Sequence, residues 1–213
     1  MSYYRFIDKG KGPTKLFVGG IHGHESETTI DFLKSLSYSD FSNGKTFIYN
    51  FDNTPYISTL KKEYYNSKIG KEIINLIKKH KPDFYTELHC YNIKNYKNLI
   101  SPNRRDSQGV PPLIELENHV LISSVSPLIR TKYFQMEIVC KTLEIPCSNK
   151  NNSNERFAEN SEFNTYLNVL KLIAKSNNRK VFEDKMINLY PKQVKLAIKY
   201  SNEIFGKNFP PFW

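Results

Sequence analysis

Apolar segments of strand length alternate with helical patterns along this chain, and that alternation restricts its fold more than any other feature. Residues 15–19 predict a short buried strand, and residues 27–36 after them predict a helix. KTFIYNF at 45–51 predicts a second strand, and 67–80 predicts a helix that ends before Pro82, which cannot continue it. Two consecutive strand–helix units favour an α/β fold.

The later segments extend this pattern. FYTELHC at 84–90 and HVLIS at 119–123 predict strands, whereas 134–147 predicts either one long strand or a hairpin. Helical spacing returns at 162–175 and again at 190–206. We therefore expect a three-layer sandwich, in which a mixed, mostly parallel sheet is covered by helices on both faces.

Length and composition narrow the class of protein. The 213 residues suit one large domain better than two small ones, so we expect a single domain over residues 1–213. No segment approaches the roughly 18 apolar residues of a membrane span, and MSYYRFIDKGKG has no apolar signal region. The expectation is a soluble, cytoplasmic protein without a membrane partner.

The formal net charge of +10 raises nucleic-acid binding as an alternative function. The excess is spread thinly, and Lys, Asn, Ile and Tyr are abundant together, which indicates a compositional bias rather than a basic patch. We therefore expect no nucleic-acid partner. Cys90, Cys140 and Cys147 are odd in number and lack CxxC spacing, so we expect reduced, mostly buried thiols.

The stretch GGIHGHESE at 19–27 places two histidines and two glutamates directly after the first predicted strand. A hydrolytic zinc site uses three protein ligands, drawn from neutral imidazoles and carboxylates, and leaves a fourth position for water. His22 and Glu25 have the spacing of two such ligands when a loop turns into a helix between them. His24 and Glu27 repeat that spacing, so the residues alone leave the register open.

A third histidine ends a later predicted strand. His89 lies near the end of FYTELHC, and sites in open α/β sheets lie at the carboxyl ends of strands. The two histidine segments, far apart in sequence, are therefore predicted to be neighbours in space. Residues 92–112 are polar and interrupted by Pro and Gly, which predicts a long loop beside His89.

Three motifs in order resemble the zinc carboxypeptidase superfamily, which includes the succinylglutamate desuccinylase and aspartoacylase branch. They are the His-Gly-x-Glu signature at 22–25, TELHCY at 86–91 and KTLEIPC at 141–147. The resemblance covers about residues 15–146, and over the whole length the chain is similar to an uncharacterised archaeal family related to these enzymes.

The resemblance selects His22 and Glu25 over His24 and Glu27, and it implies that these two residues and His89 hold one Zn²⁺ per chain. It also implies that Glu144 is the general base; from the residues alone, Glu137, one strand turn earlier and without the Thr-Leu context, is the alternative. The reaction that follows is hydrolysis of an amide bond in a peptide or an N-acyl amino acid, in which Glu144 accepts a proton from water and passes it to the leaving amine.

One part of the superfamily pattern is missing. Members of the superfamily bind a substrate carboxylate with an Asn-Arg pair. In the corresponding region this chain has Asn66 followed by Ser67, so the arginine is missing. We expect a small-molecule or peptide substrate, and the candidate ligands for its carboxylate are Arg104, Arg105 and Arg130. Two alternatives remain open: a metal-binding homologue without catalysis, suggested by the missing arginine, and a basic nucleic-acid-binding module.

Overall fold

The computed structural model describes residues 1–52, 54–147 and 161–206. In that part of the chain seven strands form one sheet, in the order β1-β3-β2-β4-β7-β6-β5. Only β1 and β6 run against the direction of the other five. The sheet is therefore mixed and mostly parallel, as predicted. The strands are β1 (Tyr3–Asp8), β2 (Thr14–Gly19), β3 (Lys45–Asn50), β4 (Phe84–Tyr91), β5 (Ile114–Glu115), β6 (Leu121–Ser123) and β7 (Val139–Pro146).

Helices cover both faces of this sheet. Alternate residues of β2 show the division, because Phe17 packs on one face and Leu16 and Val18 on the other. The Phe17 face is packed by α1, α7, α8 and α9, and the opposite face by α2, α3 and α6. The helices are α1 (Ser26–Lys34), α2 (Lys62–Asn66), α3 (Lys68–His80), α4 (Tyr96–Leu99), α5 (Arg104–Gln108), α6 (Pro127–Tyr133), α7 (Ser161–Lys175), α8 (Arg179–Leu189) and α9 (Pro191–Phe205).

The α/β class and the three-layer arrangement are thus confirmed. Helix α3 shows how capping and apolar spacing allowed a helix to be predicted from the sequence. Ser67 caps its first turn by accepting a hydrogen bond from the Gly70 amide, and Ile73 and Ile77 are buried on one side. Lys81 adopts a left-handed conformation, φ 44°, directly before Pro82.

Other elements differ from the expectation. Strand β1 pairs antiparallel with β3 at an edge of the sheet, and α6 and α8 were not predicted as separate helices. The segment 134–147 forms a turn and one strand rather than a hairpin. The sequence also predicts a solvated loop at 149–156, a helix cap at Asn160 or Ser161 and an extended tail at 209–213; the loop, Asn160 and the tail lie outside the described residues. No helix in the described ranges is long and apolar enough to cross a membrane.

The cysteine prediction is wrong for two of the three residues. Cys90 and Cys147 form a disulfide, with their Cα atoms 4.8 Å apart, and only Cys140 is a buried free thiol. The reason is topological, because β4 and β7 are parallel neighbours and their carboxyl ends lie side by side. The two cysteines are 57 residues apart in the sequence, and this separation does not indicate that they are neighbours in space.

Candidate functional site

The predicted site residues meet where three parallel strands end. His22 follows β2, His89 lies near the end of β4, and Glu144 lies near the end of β7. Strand β4 is flanked by β2 and β7, and His89 is directly opposite Glu144 in the β4–β7 register. Parallel strands end at the same edge of a sheet, so His22 and Glu144, which are 122 positions apart in the sequence, lie in one site.

Glycines shape the loop that carries His22. Gly20 has φ +65°, and a Cβ there would lie 2.2 Å from the carbonyl oxygen of Phe51. Gly23 has φ +59°, and its Cβ would enter the ring of Tyr56. Both positions exclude side chains, because a β-carbon meets the chain and left-handed backbone is unfavourable for L-residues. The loop can therefore turn sharply from β2 into α1 and bring His22 next to Glu25.

Glu25 is the centre of the donor cluster. Its carboxylate is buried at the start of α1 and makes no capping bond there; instead Oε2 lies 3.1 Å from Nδ1 of His89. Oε1 lies 3.5 Å from Nδ1 of His22. Burial raises the pKa of Glu25, but the two histidines outweigh burial and bring the pKa below its usual value.

A second carboxylate supports His89 from behind. Oε2 of Glu87 lies 3.5 Å from Nε2 of His89, on the side of the ring away from Glu25. Tyr85 donates to Glu87 over 2.9 Å, which helps to fix the carboxylate. Burial lowers the pKa of His89, but Glu25 and the hydrogen bonds of Glu25 and Glu87 raise it well above its usual value. A carboxylate behind a histidine orients the ring and strengthens it as a ligand.

Glu144 completes the group on the side of β7. It is directly opposite His89 in the β4–β7 ladder. Burial raises the pKa of Glu144 to about 7, although His89 opposes this shift. Its carboxylate is therefore placed to exchange a proton with a molecule in the cavity.

These residues fit zinc in donor chemistry and spacing. Zinc binds histidine nitrogen and carboxylate oxygen at about 2.0–2.2 Å, and tetrahedral geometry then separates two donors by roughly 3.3–3.5 Å. Oε1 of Glu25 lies 3.2 Å from Nδ1 of His89 and 3.5 Å from Nδ1 of His22, and both distances are close to that separation. Within the described ranges no three acidic, histidine or cysteine side chains already stand as a complete coordinating set. The fit therefore rests on donor type and on these two pair distances.

A cavity of about 1280 Å³ opens above this cluster. Its wall is formed by segment 92–113, by the β6–α6 connection and by α9. The volume exceeds the roughly 300–1,000 Å³ of pockets for drug-sized ligands. The predicted site residues that line it are His22, Glu25, His89, Arg104 and Glu144.

Of the three predicted arginines, only Arg104 lines this cavity. Its Nη1 donates to the carbonyl of Pro111 over 2.6 Å, which holds the side chain against the wall. Burial lowers the pKa of Arg104, and the nearby Glu144 raises it. Arg105, the next residue, instead forms an exposed ion pair with Glu203 of α9 at 2.9 Å.

The structure does not bring Arg130 to the site, so its assignment as a substrate ligand is corrected. Its side chain is completely buried below α6 and donates to the carbonyls of the turn that leads into β7. These contacts are 3.0 Å to Gln135, 2.9 Å to Met136 and 3.2 Å to Ile138, with Phe134 at 3.5 Å. Arg130 therefore holds that turn. Glu137, the alternative base, is exposed on the same turn and outside the cavity wall.

Two features of the site were missed from sequence. Tyr56 packs its ring against His22 and His24 at the mouth of the cavity, with ring centroids 5.3 and 5.7 Å away. The Cys90–Cys147 disulfide borders the cavity beside His89. Cys90 directly follows His89, which was a sequence signal that a cysteine lies near the site. Its partner could be identified only once the pairing of β4 with β7 was known.

Fold and site together define an α/β protein with a histidine–carboxylate cluster at the carboxyl edge of its sheet. The chain belongs to the family described as an uncharacterized protein conserved in archaea (DUF2119), which matches residues 10–206. It is similar to Uncharacterized protein MJ0501 of Methanocaldococcus jannaschii, with 40% identity over 203 residues that cover 93% of this chain and 94% of that protein. No solved structure matches the chain significantly.

These comparisons correct one expectation and confirm another. Assignment to the zinc carboxypeptidase superfamily is wrong, because the family that matches is DUF2119 and no zinc carboxypeptidase-like family is found. The archaeal, uncharacterised character of the family was predicted and is confirmed. Any function must therefore be argued from the site itself.

Proposed function

We propose that this protein is a zinc-dependent hydrolase that cleaves an amide bond in a peptide or an N-acyl amino acid. The observation that carries the proposal is the concentration of acid around His89. Three carboxylates, those of Glu25, Glu87 and Glu144, surround one imidazole, and Arg104 is the cation that acts on Glu144. Without a metal, the imidazolium of His89 balances part of this negative charge; a divalent cation held by His22, Glu25 and His89 would replace that proton and bind the imidazole in its neutral form.

Zinc in this position supplies Lewis-acid chemistry, which polarises a substrate carbonyl and lowers the pKa of a water molecule. The chain's own residues divide the remaining tasks. Glu144 accepts a proton from water at its carboxylate and returns it to the leaving amine. Glu87 keeps the imidazole of His89 oriented, and Arg104 attracts an anionic group of the substrate.

The cavity supports a substrate larger than water or a simple ion. About 1280 Å³ accommodates an acylated amino acid or a short peptide beside the donor cluster. A carboxylate on that substrate would reach Arg104 on the wall.

A cytoplasmic location and the absence of a nucleic-acid partner remain predictions. Fractionation of the native cells tests the location.

Metal analysis of the purified protein tests the metal part. We expect close to one zinc per chain in the wild type, and loss of that zinc in His22→Ala and in His89→Ala. His119→Ala is the matched control, because His119 is an exposed histidine outside the cavity wall. Loss of zinc in His24→Ala but not in His22→Ala would show that the register of the ligands is wrong.

Glu144→Gln separates catalysis from metal binding. This variant should keep its zinc and lose turnover by on the order of a hundredfold or more, the usual contribution of acid–base catalysis. Glu137→Gln should retain both. Release of free amine from a panel of N-acyl amino acids and peptides is the assay. Wild-type protein that is loaded with zinc and inactive on the whole panel would instead support a metal-binding protein without catalysis.

A further inference from the structure

The last residues of β4 and β7 form a two-stranded extension beyond the rest of the sheet. Strand β2 pairs with β4 only as far as the Gly19–Leu88 pair. Strand β6 pairs with β7 only as far as the Leu121–Glu144 pair. In the described ladders, residues 89–91 and 145–147 therefore have only each other as lateral partners. His89 stands on this extension, and Glu144 stands at its base.

The backbone pairing of this extension is weaker than that of the central sheet. Each strand has one lateral neighbour there instead of two, although β4 stays buried as far as Tyr91, and a pair of strands alone is marginally stable. Fraying here would move His89 away from Glu25, whose Oε2 lies 3.1 Å from its Nδ1. It would also separate His89 from Glu144, its partner in the ladder.

The disulfide crosslinks this extension. Cys90 immediately follows His89, and Cys147 is the residue after β7, so the bond joins both strands beyond the two site residues. The Cys147 amide also donates to the carbonyl of Tyr91 over 2.9 Å, which continues the backbone pairing of the two strands to the end of this described range. Cys90 belongs to the sheet face opposite His89, so the bond acts on His89 through the backbone.

We propose that the Cys90–Cys147 disulfide is a positioning element that holds His89 in place, and that the metal affinity of the site depends on the oxidation state of this bond. The proposal rests on the proposed function, because it concerns the same metal ligands. A disulfide that only stabilised the fold would change the free energy of unfolding and leave the zinc affinity of the folded protein unchanged.

Reduction is chemically open to a dithiol. Cys147 is exposed and borders the cavity, so a thiolate can attack its sulfur. The attack forms a mixed disulfide with Cys147 and releases Cys90 as a thiolate, which takes up a proton. The second thiol of the reagent then displaces Cys147. The products are one cyclic disulfide of the reagent and two protein thiols, with two electrons transferred.

The test compares zinc affinity in the full-length oxidised protein and in Cys90→Ser/Cys147→Ser, by competition with a chromophoric chelator. We expect the double variant to bind zinc about tenfold more weakly or worse, the scale on which residues that orient ligands act. Arg130→Met controls for lost stability at a distance from the site, and Cys140→Ser controls for loss of a thiol elsewhere. Both controls should bind zinc as the wild type does.

Each outcome separates this proposal from the one it rests on. Oxidised wild type that binds no zinc overturns the proposed function. Oxidised wild type that binds one equivalent, with a double variant within twofold of it, overturns the positioning role alone. Wild type reduced with dithiothreitol and desalted should also bind more weakly and recover on reoxidation. Unchanged affinity after reduction, with a weakened double variant, would refute the redox dependence.

Discussion

Replacement of Arg130 tests whether this residue stabilises the fold, as its contacts indicate, or binds substrate, as the sequence suggested. Arg130→Met keeps the apolar stem of a fully buried side chain and removes three hydrogen bonds of 2.9–3.2 Å to backbone carbonyls. Each bond to a charged group contributes about 1.5–3 kcal/mol, which suggests roughly 4–9 kcal/mol in sum. Gln135 and Met136 are exposed, so two of these carbonyls can regain water. We therefore expect a loss of about 4 kcal/mol.

Urea denaturation measures this loss. At 2–4 °C per kcal/mol for a chain of this size, the melting temperature should also fall by about 8–16 °C. Arg105→Met is the matched control, because its exposed ion pair with Glu203 should contribute less than about 1 kcal/mol. If Arg130→Met unfolds within 1 kcal/mol of the wild type and loses substrate binding, Arg130 is a substrate ligand after all and the structural assignment is refuted.

Two further predictions concern ligands. With a substrate that carries a free carboxylate, Arg104→Gln should lower kcat/KM by about 10–100-fold, from a charged hydrogen bond of roughly 1.5–3 kcal/mol. It should leave the carboxamide analogue nearly unaffected, and an equal loss in Arg105→Gln would move the anion site away from Arg104. Nucleic acid should bind only weakly and lose affinity steeply with salt, because neutralised phosphates release counterions. Tight, sequence-selective binding in filter or polarisation assays at physiological salt would contradict the hydrolase proposal.

Local patterns determined the elements that the sequence predicted well. The apolar spacing of α3, its Ser67 cap and the Pro82 that follows it all act within a few residues, so they could be read without the fold. Strand β4 is buried along its whole length and reads as a continuous run with His89 near its end. Short elements such as β5 and α6 carry too few residues for such a signal.

Position in the sheet determined which candidate residues share a site. The sequence did not separate Arg104 from Arg105, which both lie in the loop after His89, and it kept Arg130, shortly before the strand of Glu144, as the next candidate. Their surroundings separate them, because one lines the cavity, one pairs with α9 and one is buried under α6. Burial and partners are set by packing between distant segments, which no local spacing encodes.

The sequence by itself determined the α/β class, the order of the main strands and helices, and a set of donor residues at strand ends, because periodicity and capping act over a few residues. Only the tertiary structure decided that β4 lies between β2 and β7 and that Cys90 meets Cys147. The order of strands in the sheet is determined by the burial of whole sheet faces and by the crossover connections between strands. These are properties of the assembled chain, and they place His22, Glu25, His89 and Glu144 around one cavity.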